Sequence, residues 1–210
     1  MPRAKDKKQK TAMHNPPFFV RIAANLVVQQ PVEMHLIEDI IDIFNKTFYQ
    51  SFNTRLVKGD DEPIYLPADN STNYHRIIFA HGFYASALHE IAHWCIAGKE
   101  RRLLEDFGYW YEPDGRNEAQ QKAFEQVEIR PQAVEWGLCA AAGKRFNVSA
   151  DNLDGAEPDM QGFKASVLEQ VKQYLEGGFP PRAAQLMEAL SEFYQQPMPT
   201  KVDDFLKVSQ

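Results

Sequence analysis

The five residues from His89 to His93 have the types and spacing of a metal-binding motif, because His89-Glu90-Ile91-Ala92-His93 matches H-E-x-x-H. Residues four apart project from the same face of a helix, so both imidazoles can reach one ion. At 100° per residue the apolar neighbours form one arc, and the two histidines lie at its edge. We therefore predict a metal site, partly buried but reachable, on a helix from about Phe83 to Ala97.

A third protein ligand is expected, because two imidazoles rarely complete a metal site. Every other histidine precedes the motif, so we look to the carboxylates of the helical stretch downstream. The candidates are Glu125, Glu128 and Glu135. We favour Glu128, because a helix break at Pro131 would turn its side chain inward. His81, at the end of the preceding strand, is a candidate for a fourth ligand, a substrate contact or a turn residue.

Two histidines and one carboxylate support two chemistries. With zinc, the ion acidifies a bound water and Glu90 serves as the general base, which is typical of a small metallopeptidase. With Fe(II), the three ligands on one face leave positions open for O₂ and substrate. The motif alone favours the zinc hydrolase. A purely structural metal is a third reading, and it predicts four protein ligands with no open position.

The sequence patterns around these residues predict an α+β fold, in which a small mixed sheet packs with helices. Apolar residues at helical spacing indicate a first helix over about 36–48. Short β-branched and aromatic runs indicate strands at 55–57, 64–66 and 76–80. Further helices are predicted at about 83–97, 117–142 with an interruption at Pro131, 158–176 and 181–195.

The length of the chain predicts one domain. Of the 210 residues, we assign 1–31 to a basic, flexible extension, 32–200 to the domain and 201–210 to a C-terminal tail. A net charge of -6 argues against direct nucleic-acid binding. Arg21 and Asn25 interrupt the first apolar stretch, which argues against a signal peptide, and no run is long enough to span a membrane. We expect a cytoplasmic protein with two buried, free cysteines.

Longer blocks surround the motif in a fixed order. They include Phe52–Leu56, Gly59–Asp69, His81–Ala87, His93–Lys99, Phe107–Tyr111, Pro113–Arg116, Pro131–Ala133 and Phe146–Ser149. In these blocks, over about residues 36–195, the chain resembles the bacterial elongation factor P hydroxylase family. These blocks are far more specific than the five-residue motif.

The resemblance implies hydroxylation of a lysine of elongation factor P after β-lysine has been attached to it, by a mononuclear non-heme Fe(II) centre that uses O₂. It implies a fold similar to a minimal metal-dependent endoribonuclease, with a zincin-like layout. The ligands would be His89, His93 and Glu128, with Glu125 as the runner-up. Glu90 would be a supporting catalytic residue. The endoribonuclease has a third histidine soon after the pair, and its absence here argues against RNA cleavage.

The β-lysyl arm of that substrate is cationic, so an acidic and aromatic channel is expected around it. An acidic turn and a set of aromatic residues are the candidates for lining this channel. They are Asp60, Asp61, Glu62, Tyr84, Tyr109, Trp110 and Tyr111.

Overall fold

A computed structural model describes residues 35–107, 115–150, 152 and 154–209. The elements in chain order are α1 (Ile37–Phe52), β1 (Thr54–Lys58), β2 (Ile64–Leu66), β3 (His75–Phe79), α2 (Tyr84–Ile96), α3 (Glu118–Ala142), α4 (Met160–Gly177), α5 (Pro181–Tyr194) and α6 (Val202–Lys207), with a short 3₁₀ turn at Arg101–Leu103. The predicted α+β class is confirmed.

The sheet has three strands in the order β1-β3-β2, so the last strand in sequence lies in the middle. β1 pairs with β3 in parallel and β2 pairs with β3 antiparallel, which makes the sheet mixed, as predicted. Helix α2 packs against β3 and against α3, so it lies between the sheet and the other helices. The inner face of α2 is buried through Leu88, Ile91, Ala92 and Cys95.

Helix α3 has strong signals at both ends. Asn117 and Gln120 form a reciprocal capping box at its start. Gly143 ends it in the left-handed conformation, with φ 66°. The predicted interruption at Pro131 is wrong, because the helix runs through this residue. Proline removes one hydrogen bond to Val127, and Val127 is exposed, so water can take the place of the missing donor.

The C-terminal residues also differ from expectation. Where we predicted a tail from 201, the chain forms α6, and Phe205 of this helix is fully buried. The indole N–H of Trp136 donates to the carbonyl of Phe205 at 3.0 Å. Phe146 N–H donates to the Val208 carbonyl at 2.7 Å. A helix of six residues with one large apolar side chain gives little periodicity, which is why the sequence did not indicate it.

The two cysteines, Cys95 and Cys139, are free and buried, as predicted. Within the described ranges, no helix has the length and apolar character needed to cross a lipid bilayer.

Candidate metal centre

Helix α2 supplies two imidazoles that face one another. His89 and His93 are four residues apart, and their Nε2 atoms lie 3.2 Å from each other. Their side chains are 29% and 15% exposed, so both are reachable from solvent without lying on the open surface. This is the partly buried position that the edge of the apolar arc predicted.

Helix α3 brings a carboxylate to the same point. Glu128 Oε1 lies 3.2 Å from His93 Nε2, and Glu128 Oε2 lies 3.7 Å from His89 Nε2. One donor atom from each of the three residues lies within 4.8 Å of the other two. Glu128 reaches this point from an unbroken helix, so the break at Pro131 that we used to choose it is not the reason for its position.

The donor atoms have the spacing that one ion requires. Two ligands at about 2.1 Å from an ion, at right or tetrahedral angles, stand roughly 3.0 to 3.4 Å apart. The observed separations of 3.2 Å, 3.2 Å and 3.7 Å are close to this range. Two imidazoles and one carboxylate suit Fe(II), and they also suit zinc. The group therefore fits a bound metal.

A second carboxylate of α3, Glu135, contacts the opposite side of His89. Its Oε2 lies 2.9 Å from His89 Nδ1, and only 8% of the residue is exposed. A carboxylate only accepts, so the Nδ1–H of His89 donates to it. In the neutral ring, which is the form that binds a metal, this places the lone pair of His89 on Nε2, which faces His93 and Glu128. Glu135, a candidate ligand in the sequence, instead fixes the tautomer of a ligand candidate.

The charges of the site favour a cation. Burial opposes a charged His89, but the hydrogen bond and charge of Glu135, with the charges of Glu128 and Glu90, outweigh it and raise the pKa of His89 to about 10. Burial also opposes a charged Glu128, yet His93 and His89 lower its pKa to about 2. The site thus holds positive charge tightly among three carboxylates, which is the electrostatic setting of a metal ion.

Other predicted site residues lie elsewhere. Glu125 accepts a hydrogen bond from Gln121 Nε2 at 3.1 Å, and the structure does not bring it into the group around His93. His81 is exposed, with φ 55°, and its N–H donates to the Asp60 carbonyl in the turn before α2. It lies in a turn, and the group formed by His89, His93 and Glu128 does not include it.

The predicted channel residues that the structure describes lie at the start of α2 and in the turn between β1 and β2. Tyr84 is buried at the start of α2, where its hydroxyl donates to the Tyr194 hydroxyl at 3.1 Å. Asp60, Asp61 and Glu62 are exposed in the turn between β1 and β2. Tyr109, with Trp110 and Tyr111, lies outside the described residues.

A pocket beside His93 was not predicted. From α2 it is lined by Glu90, His93, Trp94 and Ala97, and the chain that follows adds Arg101 and Arg102. Tyr65, Ile77 and Asp106 complete its walls. Glu90, His93, Trp94 and Ala97 are three or four residues apart along α2 and its C-cap, so the sequence held a signal for these four of the nine lining residues. The rest depend on the pairing of Tyr65 with Asp106, which only the fold reveals.

Two arginines hold the end of α2. Arg182 Nη2 donates to the carbonyls of Trp94, Cys95 and Ala97 at 2.8, 3.0 and 2.6 Å, and Arg102 Nη1 donates to Ala97 at 2.8 Å. These are carbonyls of the last turn, which have no partner within the helix. Because the capped turn follows His93 directly, these bonds fix the part of α2 that presents it.

The fold and the donor group define a candidate metalloenzyme. The family whose model matches residues 43–205 is described as Elongation factor P hydroxylase. A protein of Haemophilus influenzae named Elongation factor P lysine hydroxylase is 63% identical over 160 residues, which cover 76% of this chain and 90% of that protein. The chain belongs to the elongation factor P hydroxylase family, so the resemblance seen in the sequence is confirmed and the protein is an enzyme, an oxidoreductase.

Proposed function

We propose that this protein hydroxylates the β-lysylated lysine side chain of elongation factor P in the cytoplasm, with Fe(II) held by His89, His93 and Glu128 and with O₂ as co-substrate. The observation that carries the proposal is the convergence of these three donor atoms within 4.8 Å, in a chain of a hydroxylase family. Three ligands on one face are the arrangement typical of non-heme iron oxygenases.

The reaction balances with an external reductant. One oxygen atom of O₂ enters a C–H bond of the lysine side chain and the other leaves as water, which requires two electrons and two protons in addition. Iron held by His89, His93 and Glu128 would supply the activation of O₂. The protein supplies the geometry around it: Glu135 holds His89 in the Nδ1–H tautomer, and Gln132 contacts Glu128 Oε2 at 3.5 Å.

The fold supports a related proposal. An H-E-x-x-H helix packed against a small mixed sheet is the arrangement that a minimal metal-dependent endoribonuclease and the zincins share. We propose that the present chain has a similar layout, and the likeness concerns the fold and not the activity. Glu90, the general base in a zinc peptidase, here borders the pocket beside His93 and becomes a residue that faces the substrate.

The proposal is tested with metal-free protein that is reloaded anaerobically with Fe(II) and mixed with β-lysylated elongation factor P and a chemical reductant. On admission of air, the intact mass of elongation factor P should rise by one oxygen atom, and heavy-isotope O₂ should label it. His93→Ala should abolish this gain, while Glu125→Ala should retain it.

The controls separate the competing chemistries. No mass gain with iron, air and reductant all present would overturn the proposal. Zinc that supports cleavage of elongation factor P, lost in Glu90→Gln, would support the metallopeptidase reading instead. Elongation factor P without β-lysine should gain far less oxygen than the modified form.

A further inference from the structure

The carboxylate of Glu90 lines this pocket. Among the residues that the structure describes, no neighbour forms a hydrogen bond or an ion pair with it. The arginines of the pocket have hydrogen-bond partners of their own. Arg101 Nη2 donates to Asp106 Oδ1 at 3.0 Å, and Arg102 donates to the carbonyl of Ala97. A partly buried carboxylate without a hydrogen-bond partner is costly for the protein, so its position calls for a ligand of opposite charge.

Two aromatic rings line the same pocket. Tyr65 is held in place because its hydroxyl donates to the Arg102 carbonyl at 2.9 Å. Trp94 is 3% exposed, its ring is packed edge-on by Phe44 and Phe52, and the guanidinium of Arg182 already lies over it at 4.7 Å. A carboxylate combined with a fixed aromatic ring, here that of Tyr65, is a set that binds organic cations, because the ring face is electronegative. An anionic ligand would meet the charge of Glu90 instead.

The pocket and the candidate metal centre share a wall. His93 lines the pocket and also lies 3.2 Å from Glu128 in the donor group. Glu90 precedes His93 by three residues, so the two side chains are neighbours on α2. A chain anchored by its cationic end at Glu90 therefore passes next to the metal ligands, where an adjacent carbon can react.

We propose that this pocket, the ammonium pocket, binds an amino group of the β-lysyl arm through Glu90 and so distinguishes β-lysylated lysine from unmodified lysine. The inference rests on the proposed function, because it names the part of that site that recognises the substrate. The β-lysyl group carries two free amino groups beyond the lysine that it modifies. Glu90 then has the role that we expected of the acidic turn at 60–62, which is contact with the cationic arm.

The first test compares Glu90→Gln with wild type in the hydroxylation assay with β-lysylated elongation factor P. The amide keeps the shape and removes the charge, so the KM should rise about ten- to a hundredfold while kcat changes by only a few-fold. Iron content, measured by metal analysis, should stay the same. Glu100→Gln is the matched control, because Glu100 is exposed next to Arg101 and does not line the pocket.

The second test changes the substrate, and its first comparison uses wild type alone, so that comparison stands even if Glu90→Gln folds poorly. Acetylation of the amino groups of the β-lysyl arm on a short peptide removes their charge. Wild type should bind this peptide at least about tenfold more weakly than the unacetylated one by calorimetry. Glu90→Gln should bind the two peptides almost equally, because the two changes remove the same interaction.

The outcomes separate this inference from the proposed function. Hydroxylation by wild type with an unchanged KM in Glu90→Gln would overturn the ammonium pocket and leave the function intact. A lost kcat with an unchanged KM would also overturn it, since Glu90 would then act in the chemical step. If wild type hydroxylates nothing, the proposed function fails, and the calorimetry still decides whether the pocket binds the arm.

Discussion

Glu128 and Glu135 are both buried carboxylates of α3, and both face His89, but they lie on opposite sides of its ring. Glu128 lies 3.7 Å from Nε2 of His89 and 3.2 Å from Nε2 of His93. Glu135 lies 2.9 Å from Nδ1 of His89. The two acids are seven residues apart, so two helical turns place them on one face.

The difference shows that the same residue type on the same helix face serves two purposes. Glu128 points its oxygens at the space that both imidazoles share, so it can bind an ion. Glu135 is separated from that space by the ring of His89, so it acts on an ion only through that ring. A ligand and its support are therefore distinguished by which ring nitrogen each contacts, not by burial or residue type.

The largest effect is expected from Glu128→Ala, because it removes one of the three donor atoms. We expect iron binding to weaken by at least about a thousandfold and hydroxylation to fall below detection, as for loss of a ligand. Isothermal calorimetry with metal-free protein and the mass assay measure both. Glu125→Ala, one turn earlier on α3, should behave as wild type. If Glu125→Ala loses the metal and Glu128→Ala keeps it, the assignment of the carboxylate is wrong.

Glu135 should have a smaller effect than Glu128. In Glu135→Gln the amide oxygen can still accept from Nδ1–H, so the tautomer is kept but the charge is lost, and iron affinity should fall about ten- to a hundredfold. Glu135→Leu removes the acceptor as well and should weaken binding further. The absorption of bound Co(II) should persist in both variants. Equal losses in Glu135→Leu and Glu128→Ala would contradict the distinction between ligand and support.

The site shows which of its parts the sequence could predict. His89 and His93 are four residues apart, so local helix geometry alone brings them together. Glu128 and Glu135 reach them only because α2 and α3 pack side by side, and no local pattern carries that information. The structure brings Glu128 next to the two histidines, although the helix break at Pro131 by which we chose it does not exist.

In the fold, too, the sequence predicted the local features and not those that depend on distant contacts. The strands and five of the helices follow from periodicity and capping, as at Asn117 and Gly143. The sheet order, in which β3 takes the centre, depends on contacts between distant segments and was not predicted. Helix α6 is held by tertiary packing of Phe205 and not by its own propensity, so a tail was expected there.

The interaction of Glu135 with His89 also makes the stability of the metal-free protein depend on pH. The pKa of His89 is raised to about 10 in the folded state, from an ordinary value of 6.5. Its contribution to stability is therefore complete below about pH 6.5 and is lost as the pH rises through about 10. Urea unfolding between these limits should show a falling free energy of unfolding. The fall should be smaller in Glu135→Gln, and an equal slope in both proteins would contradict the coupling.

The smallest effect on metal affinity is expected from a change of Gln132, whose side chain contacts the carboxylate of Glu128. Its Nε2 donates to Ser149 O at 2.6 Å and to Glu128 Oε2 at 3.5 Å, and its Oε1 accepts from Ser149 N–H at 3.0 Å.

Gln132→Met fills the same space and removes these bonds, so the free energy of unfolding should fall by about 1 to 3 kcal/mol. Iron affinity should fall only a few-fold, because the contact at 3.5 Å is long and His93 still contacts Glu128. Gln126→Met, at an exposed position of the same helix, is the control for the substitution itself. A loss of iron binding as large as that of Glu128→Ala would mean that Gln132, and not His93, holds the carboxylate in place.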